Sequence, residues 1–358
     1  MRILITWACG FVGSTLARGL REAWPDWEIV GVDNFVRAGS ELNRQMLRES
    51  GVKLGHADIR LPSDLEGLPR CDWILDAAAE PSVLAGVAGK TSSRQLVEHN
   101  LIGTVNLLEL AKNWRSGLIM LSTSRVYSIR ELASIPVVTK GDRFVLRTNG
   151  RPFAGCSESG VTESFSTEPP LSLYGSSKRA AEILACEYGQ TFDFPVFINR
   201  CGVLAGGGQF GKIDQGIFSY WIHACARKLP LRYIGFSGTG HQVRDCLHAR
   251  DLLLLLCEQM KRSTANQAPI VNVSGGVDHS ASLRELSAWC AARFGEHVVT
   301  AQSAARPFDV PWLVLDSSEA ARIWDWRPRT PLEAIWSEIA EHAERHPHWL
   351  DSVDDNLN

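Results

Sequence analysis

Residues 2 to 33 constrain the fold most. An apolar, β-branched run, Arg2 to Thr6, ends in a glycine-containing turn. Val12, Leu16 and Leu20 then recur at helical spacing, and a second apolar run follows from Ile29 to Asp33. Strand, turn, helix and strand together open a parallel sheet. Gly10 permits close approach of a pyrophosphate to the backbone, Gly13 permits close helix packing, and the helix N-terminus offers amide donors to phosphate. Asp33, at the end of the second strand, is positioned to accept both hydroxyls of an adenosine ribose. It would repel a 2′-phosphate, which favours NAD over NADP. Trp7 stands where such a turn usually has its first glycine. The indole must rotate away, shift the turn, or lie where the dinucleotide lies. A positive φ there would add backbone strain.

The alternation continues along the chain. Trp73 to Ala77, Leu118 to Ser122 and Val196 to Arg200 read as strands, and Gln95 to Ala111 and Ser177 to Phe192 as helices. The expected architecture is α/β, a Rossmann-type doubly wound parallel sheet with a smaller, discontinuous C-terminal substrate lobe. Residues 1–200 form the dinucleotide-binding core and 201–235 begin the lobe. Residues 236–273 return to the core through a strand at Ile270 to Val273. Residues 274–346 belong mainly to the lobe, with helices near Ser282 to Phe294 and Leu332 to His346, and 347–358 form a flexible tail. Gly206, Gly207, Gly208 and Gly211 make a flexible loop, and Asp214 is a candidate N-cap for a helix reaching about Lys228. Residues 129–170, rich in Gly, Pro, Ser and Thr, read as a long loop covering a site.

Composition removes several classes of function. There are 37 Lys and Arg against 40 Asp and Glu, a net charge of -3, which gives no general attraction for nucleic acid or anionic membrane. The longest apolar run, Leu252 to Cys257, is too short for a membrane span. The opening MRILIT lacks the apolar region and cleavage site of a signal peptide. The nine cysteines contain no CxxC pair and read as reduced cytosolic thiols, so the expected location is cytoplasmic. His342, His346 and His348 cluster, but Pro347 breaks any helical ligand face, and no metal site is expected.

The sharpest chemical spacing is Tyr174-Gly-Ser-Ser-Lys178. On a helix these side chains share a face, and a nearby ammonium lowers the pKa of a phenol. The phenolate can then take a proton from a substrate hydroxyl. The same spacing also suits a helix tyrosine beside a solvent lysine. Leu121 to Tyr127 ends a strand with Ser122, Thr123 and Ser124, where a hydroxyl could donate to a reacting oxygen. Strand alternation turns Ser122 to the other side, leaving Thr123 or Ser124. Asp58, after a third strand, could reach an adenine amine or be an ordinary turn acid.

Trp7 to Gly13, Asp33-Asn34, Ser122 to Tyr127 and Tyr174 to Lys178 together resemble the extended short-chain dehydrogenase/reductase family, over nearly the whole chain. Asn100 to Glu109 is similar to its NxxGTxNLLE helix, and Val243 to His248 to the VRDxxH motif of its nucleotide-sugar epimerases and dehydratases. Asp33 to Gly39 with Asn43, Gly207 to Phe210, Asp214 to Gly216, and Gly238 to Asp245 resemble the branch that epimerises C2 of a CDP-sugar. The resemblance implies bound NAD, held by Gly10, Phe11, Val12, Gly13, Asp33 and Asn34, and further by Asp58, Ile59, Ala77, Asn100 and Lys178. It implies Thr123, Tyr174 and Lys178 as catalytic residues. Ser124, Arg125, Gln209, Gln215, Arg244 and Arg306 would bind substrate. The implied reaction is epimerisation of a nucleotide sugar through a keto intermediate, by a homodimer packed through the Gln95 and Ser177 helices.

The chain departs from the family pattern beyond Trp7. Asp76 heads Asp76-Ala77-Ala78-Ala79 where histidine is usual, and Arg200-Cys201-Gly202-Val203 lacks an asparagine. Asp309-Val310-Pro311 has proline in place of a substrate-binding arginine, and Asn149 and Gly150 lie in an altered segment. Arg244 could grip a diphosphate or pair with Asp245 or another acid. Trp312, Trp324 and Trp326 read as core rather than as a sugar platform. A UDP-sugar 4-epimerase, a dehydratase and an inactive sugar-nucleotide binder impaired by Trp7 are the competing readings. The dehydratase lacks its acid pair, because Ser124 and Arg125 follow Thr123.

Overall fold

Strands that read as apolar on both faces should lie inside a sheet covered on both sides. In the computed structural model, which describes residues 1–87, 92–147, 153–212, 215–262, 270–304 and 306–353, Ile3, Leu4 and Ile5 are fully buried. Seven strands make this sheet: β1 (Arg2–Thr6), β2 (Glu28–Asp33), β3 (Lys53–His56), β4 (Trp73–Asp76), β5 (Gly117–Thr123), β6 (Val196–Cys201) and β7 (Ile270–Val273). Their order is β7-β6-β5-β4-β1-β2-β3. β1 pairs in parallel with β2 and β4, placing Ile3 between Ile29 and Trp73. The strand order reverses between β1 and β4. In an open α/β sheet this switch point is where ligands bind, beyond the carboxyl ends of the strands.

The chain divides into two units. The first comprises residues 1–126, 173–200 and 249–271. Its helices include α1 (Phe11–Ala23), α2 (Gly103–Trp114) and α3 (Leu173–Phe192). α1 buries Leu16, Ala17 and Leu20, the stripe set by its sequence period. The helix expected from Gln95 begins instead at Ser93, behind a capping box formed by Ser92 and Gln95. It then passes through a π-turn, Glu98–Ile102, before α2. α3 begins four residues earlier than its apolar pattern suggests, so Tyr174 is helical.

The second unit comprises residues 127–172, 201–248 and 272–358. Residues 129–170 are not one long loop. They contain a helix, Ile129–Ser134, a hairpin of Val137–Lys140 with Arg143–Leu146, and a short pair, Cys156–Ser157 with Gly160–Val161. Their backbone groups bond partly within these pairs and partly to distant carbonyls, Phe144 N–H to His241 and Val161 N–H to Val314, which composition could not reveal. Asn149 and Gly150 lie outside the described residues. So does Asp214; the helix expected after it is Ile217–Ala226, with Gly216 at its N-cap in the left-handed region (φ 67). Within the expected tail, Trp349–Val353 is helical. There Trp349 Nε1 donates to the Gln209 carbonyl at 3.0 Å, and Arg227 pairs with Asp351 at 2.6 Å. Trp312, Trp324 and Trp326 are buried core residues. All nine cysteines are free thiols. Among the described residues no helix is long and apolar enough to cross a membrane.

Candidate active site

The turn after β1 keeps its tight form despite the indole. Gly10 N–H donates to the Trp7 carbonyl at 3.0 Å. Trp7 adopts φ 48, the left-handed region that strains a bulky residue. A Cβ at Gly13 would stand 2.1 Å from the Trp7 carbonyl oxygen, so only glycine lets α1 pack on the turn. Gly10, the N-cap of α1, provides no side-chain cap, leaving the first-turn amides of Phe11, Val12 and Gly13 for an anion. The indole stands edge-on to His99, with ring centres 6.5 Å apart, and packs on the apolar cluster that includes Ile59 and Ala78.

Asp33 does more than close a strand. Its Oδ2 accepts from Cys9 N–H at 2.9 Å and its Oδ1 from Phe35 N–H at 2.8 Å. Burial raises its pKa, and these amides work against the rise. Asn43 braces the same turn, donating to the Cys9 carbonyl at 2.8 Å. Asp58 accepts from Asn34 at 3.1 Å and is forked by Arg60. Burial opposes its ionisation, but Arg60 holds its carboxyl below the usual range. Asn100 is fully buried. It ties the Glu80 backbone to Ser177 on α3, accepting from Glu80 N–H at 2.8 Å and donating to Ser177 Oγ at 3.2 Å. Ala77 N–H donates to Thr6 Oγ1 at 3.1 Å. These residues fit a dinucleotide: an uncapped helix start, a glycine approach and a carboxylate at the end of β2. The Trp7 side chain is the exception.

Tyr174, Lys178 and Glu182 recur every four residues along α3, and all three are buried. Thr123 ends β5, and its Oγ1 accepts from Arg125 N–H at 3.1 Å. Ser122 turns the other way and donates to Glu182 Oε1 at 2.6 Å, as strand alternation implies. Ser124 is buried in the short turn that follows. Glu182 also takes two bonds from Arg200 and one from Arg179. Nothing local in the sequence marks this network beyond the four-residue recurrence.

Within the second unit, Arg244 Nη2 donates to Asp309 at 2.7 Å, so the arginine has an acidic partner, and that partner is not Asp245. Burial lowers the Arg244 pKa; Asp309 opposes this, while Arg306 adds to it. Asp245 instead accepts from Val203 N–H, Ser274 Oγ and Leu315 N–H. A Cβ at Gly202 would stand 2.2 Å from the Asp245 carboxylate, so a side chain there would displace it. Pro311 serves structure, its carbonyl accepting from Val243 N–H at 3.0 Å. Gln209 donates to the Leu204 carbonyl at 2.7 Å, and Gln215 pairs through its backbone with Lys212. Among the described residues no group of three potential ligands could hold a metal. The His342 ring lies tilted against that of His346, and its other histidine neighbour is His223 rather than His348.

Fold, glycine turn and Tyr–Lys helix together define a nucleotide-dependent α/β enzyme class, and the chain belongs to the NAD dependent epimerase/dehydratase family, whose sequence model matches residues 3–274. Among individual proteins, it is 28% identical to the CDP-paratose 2-epimerase of Salmonella typhi, over 92% of this chain and 95% of that one. It is 25% identical to a dTDP-glucose 4,6-dehydratase of Escherichia coli, over 99% and 95%. In fold it is similar to the UDP-glucuronic acid 4-epimerase of Bacillus cereus solved with UDP-glucuronic acid and NAD. The TM-score is 0.77 at 22% identity, covering 96% of this chain and 99% of that one.

Proposed function

We propose that this protein is an NAD-dependent nucleotide-sugar epimerase acting through a transient keto intermediate, with C2 of a CDP-sugar as the inverted carbon. The buried Tyr174 and Lys178, one turn apart on α3, are the observation behind this reading. Lys178 favours the Tyr174 phenolate, which removes the proton of a sugar hydroxyl and later returns it. The Thr123 hydroxyl donates to the same sugar oxygen, with Ser124 beside it. NAD, when bound through the α1 amides, Asp33 and Lys178, supplies reversible hydride acceptance. Arg244, Arg306, Gln209 and Gln215 are read as substrate contacts.

The likeness to a CDP-sugar epimerase supports the choice of carbon and base. Ser124 and Arg125 supply no acid to drive water elimination, which disfavours the dehydratase reading. The reading includes a cytoplasmic homodimer. Val97, Ile102, Leu173 and Ile183, exposed apolar residues on the Ser93–Ile102 segment and α3, support that assembly.

Tyr174→Phe tests the proposal. Interconversion of CDP-paratose with its C2 epimer, followed by NMR, should fall by roughly a thousandfold while NAD binding persists. Undiminished turnover would reject Tyr174 as the base. Turnover by the native protein only of UDP-glucose or UDP-glucuronic acid would move the reaction to C4. Dehydration of dTDP-glucose would place it with the dehydratases, and no turnover with any of these would favour a binding protein.

A further inference from the structure

Trp7 supports an inference that rests on the NAD reading above. Its indole packs against the buried apolar cluster whose members include Ile59 and Ala78. It meets His99 edge-on, the planes 75° apart, and His99 directly precedes Asn100. Asp58, Ile59, Ala77 and Asn100 are the candidate contacts for the adenosine half of the cofactor. The ring therefore stands among the same loops, beside the β1–β4 switch point where an α/β sheet takes its ligand. Protein interiors are close-packed, so an indole and an adenosine cannot share that volume.

His99 adds an independent sign. It is only 8% exposed, and neither ring nitrogen has a hydrogen-bond partner of good geometry. Burial, reinforced by Arg60, disfavours its protonated form, although the Gln95 carbonyl one turn back favours it. A buried imidazole without a well-formed hydrogen bond at either nitrogen is costly inside a protein. A nucleotide that took the place of the indole would lie against this imidazole.

We propose that the Trp7 indole occupies the adenosine end of the dinucleotide site and must swing out for NAD to bind, so that NAD exchanges with solution instead of staying bound between turnovers. The strained backbone at Trp7 is common to both positions of the ring. The cost of entry is the loss of the indole contacts with His99 and the Ile59–Ala78 cluster. His99 then offers the incoming nucleotide a hydrogen bond.

The test uses the full chain, with Trp7→Gly and Trp7→Phe as variants. Each protein is desalted, denatured and assayed for released NAD, and a second portion is titrated with NAD by calorimetry. The native protein should emerge largely empty and rebind NAD weakly. Trp7→Gly should bind at least tenfold tighter, and Trp7→Phe should fall between them. Trp7→Phe also carries the test if the glycine variant does not fold. Near-stoichiometric NAD in the desalted native protein would overturn the proposal. So would equal or weaker binding by the variants, because the indole would then be a platform for adenine. If none of the three binds NAD, the cofactor reading fails and takes this inference with it.

Discussion

Arg200 grips Glu182 through two hydrogen bonds, Nε to Oε1 at 3.0 Å and Nη2 to Oε2 at 2.7 Å, with both side chains out of solvent. The pair joins β6 to the face of α3 that also presents Tyr174 and Lys178, and Ser122 joins β5 to the same carboxylate. Glu182→Leu should therefore strand a buried guanidinium and cost about 3–5 kcal/mol of stability in urea unfolding. Glu182→Leu with Arg200→Met removes both charges and should regain much of that loss. A double variant no more stable than the single one would show that the fork itself holds the helix.

The architecture was legible because β1, β2, β4, β5 and β6 are short apolar runs, and burial on both faces leaves that mark on a strand. The Tyr174–Lys178 spacing was legible because a helix has a fixed period. The Glu182–Arg200 fork joins residues 18 positions apart in sequence, and Asp76 meets Thr6 across 70. No periodicity reports such pairs. The elements within residues 129–170 were hidden for a related reason. Cys156–Ser157 and Gly160–Val161 are two-residue strands, too short to show alternation. Trp7 was visible as a departure, but only the structure shows which way the indole turns.

Asp76 explains how the chain tolerates an acid where the family has histidine. It is fully buried, with Thr6 Oγ1 donating to Oδ1 at 3.1 Å and Thr104 Oγ1 donating to Oδ2 at 3.0 Å. Asp76→Asn keeps the shape and one acceptor and should cost about 1 kcal/mol. Asp76→Ala leaves a void and loosens the Thr6 contact that also receives Ala77 N–H, and should cost about 2–4 kcal/mol. Urea midpoints of the two variants check this order. Equal losses would mean that the hydroxyl bonds contribute nothing.

Arg244 is anchored by Asp309. Arg244 is the diphosphate ligand in the function proposed above, so its removal should hurt substrate more than cofactor. Arg244→Ala should weaken binding of a CDP-sugar by about 2 kcal/mol, roughly thirtyfold, with NAD affinity unchanged. Asp309→Asn should give a smaller loss, because the guanidinium remains but is less firmly oriented. Calorimetric titrations of each ligand read the two effects separately, and a CDP-sugar affinity unchanged in Arg244→Ala would remove this arginine from the substrate site.

His223 gives the second unit an acid-sensitive point. Its Nδ1 donates to the Ser219 carbonyl at 3.0 Å, so its Nε2 is left to accept from His342 Nδ1 at 3.1 Å. Burial pushes His223 down to about 4, with the charge of His346 acting in the same direction, and His342 lies at about 3 for similar reasons. An unfolded histidine takes its proton near pH 6.5. Between there and about pH 4 the unfolded chain binds more protons than the folded one, so stability present above pH 6.5 is lost as the pH falls through that window. The His223 shift alone corresponds to roughly 3 kcal/mol. His223→Asn keeps a donor for Ser219 but cannot titrate. Its urea midpoint should therefore drop less than that of the native protein between pH 7 and pH 4.5, and an equal drop in both would assign the acid sensitivity to other groups.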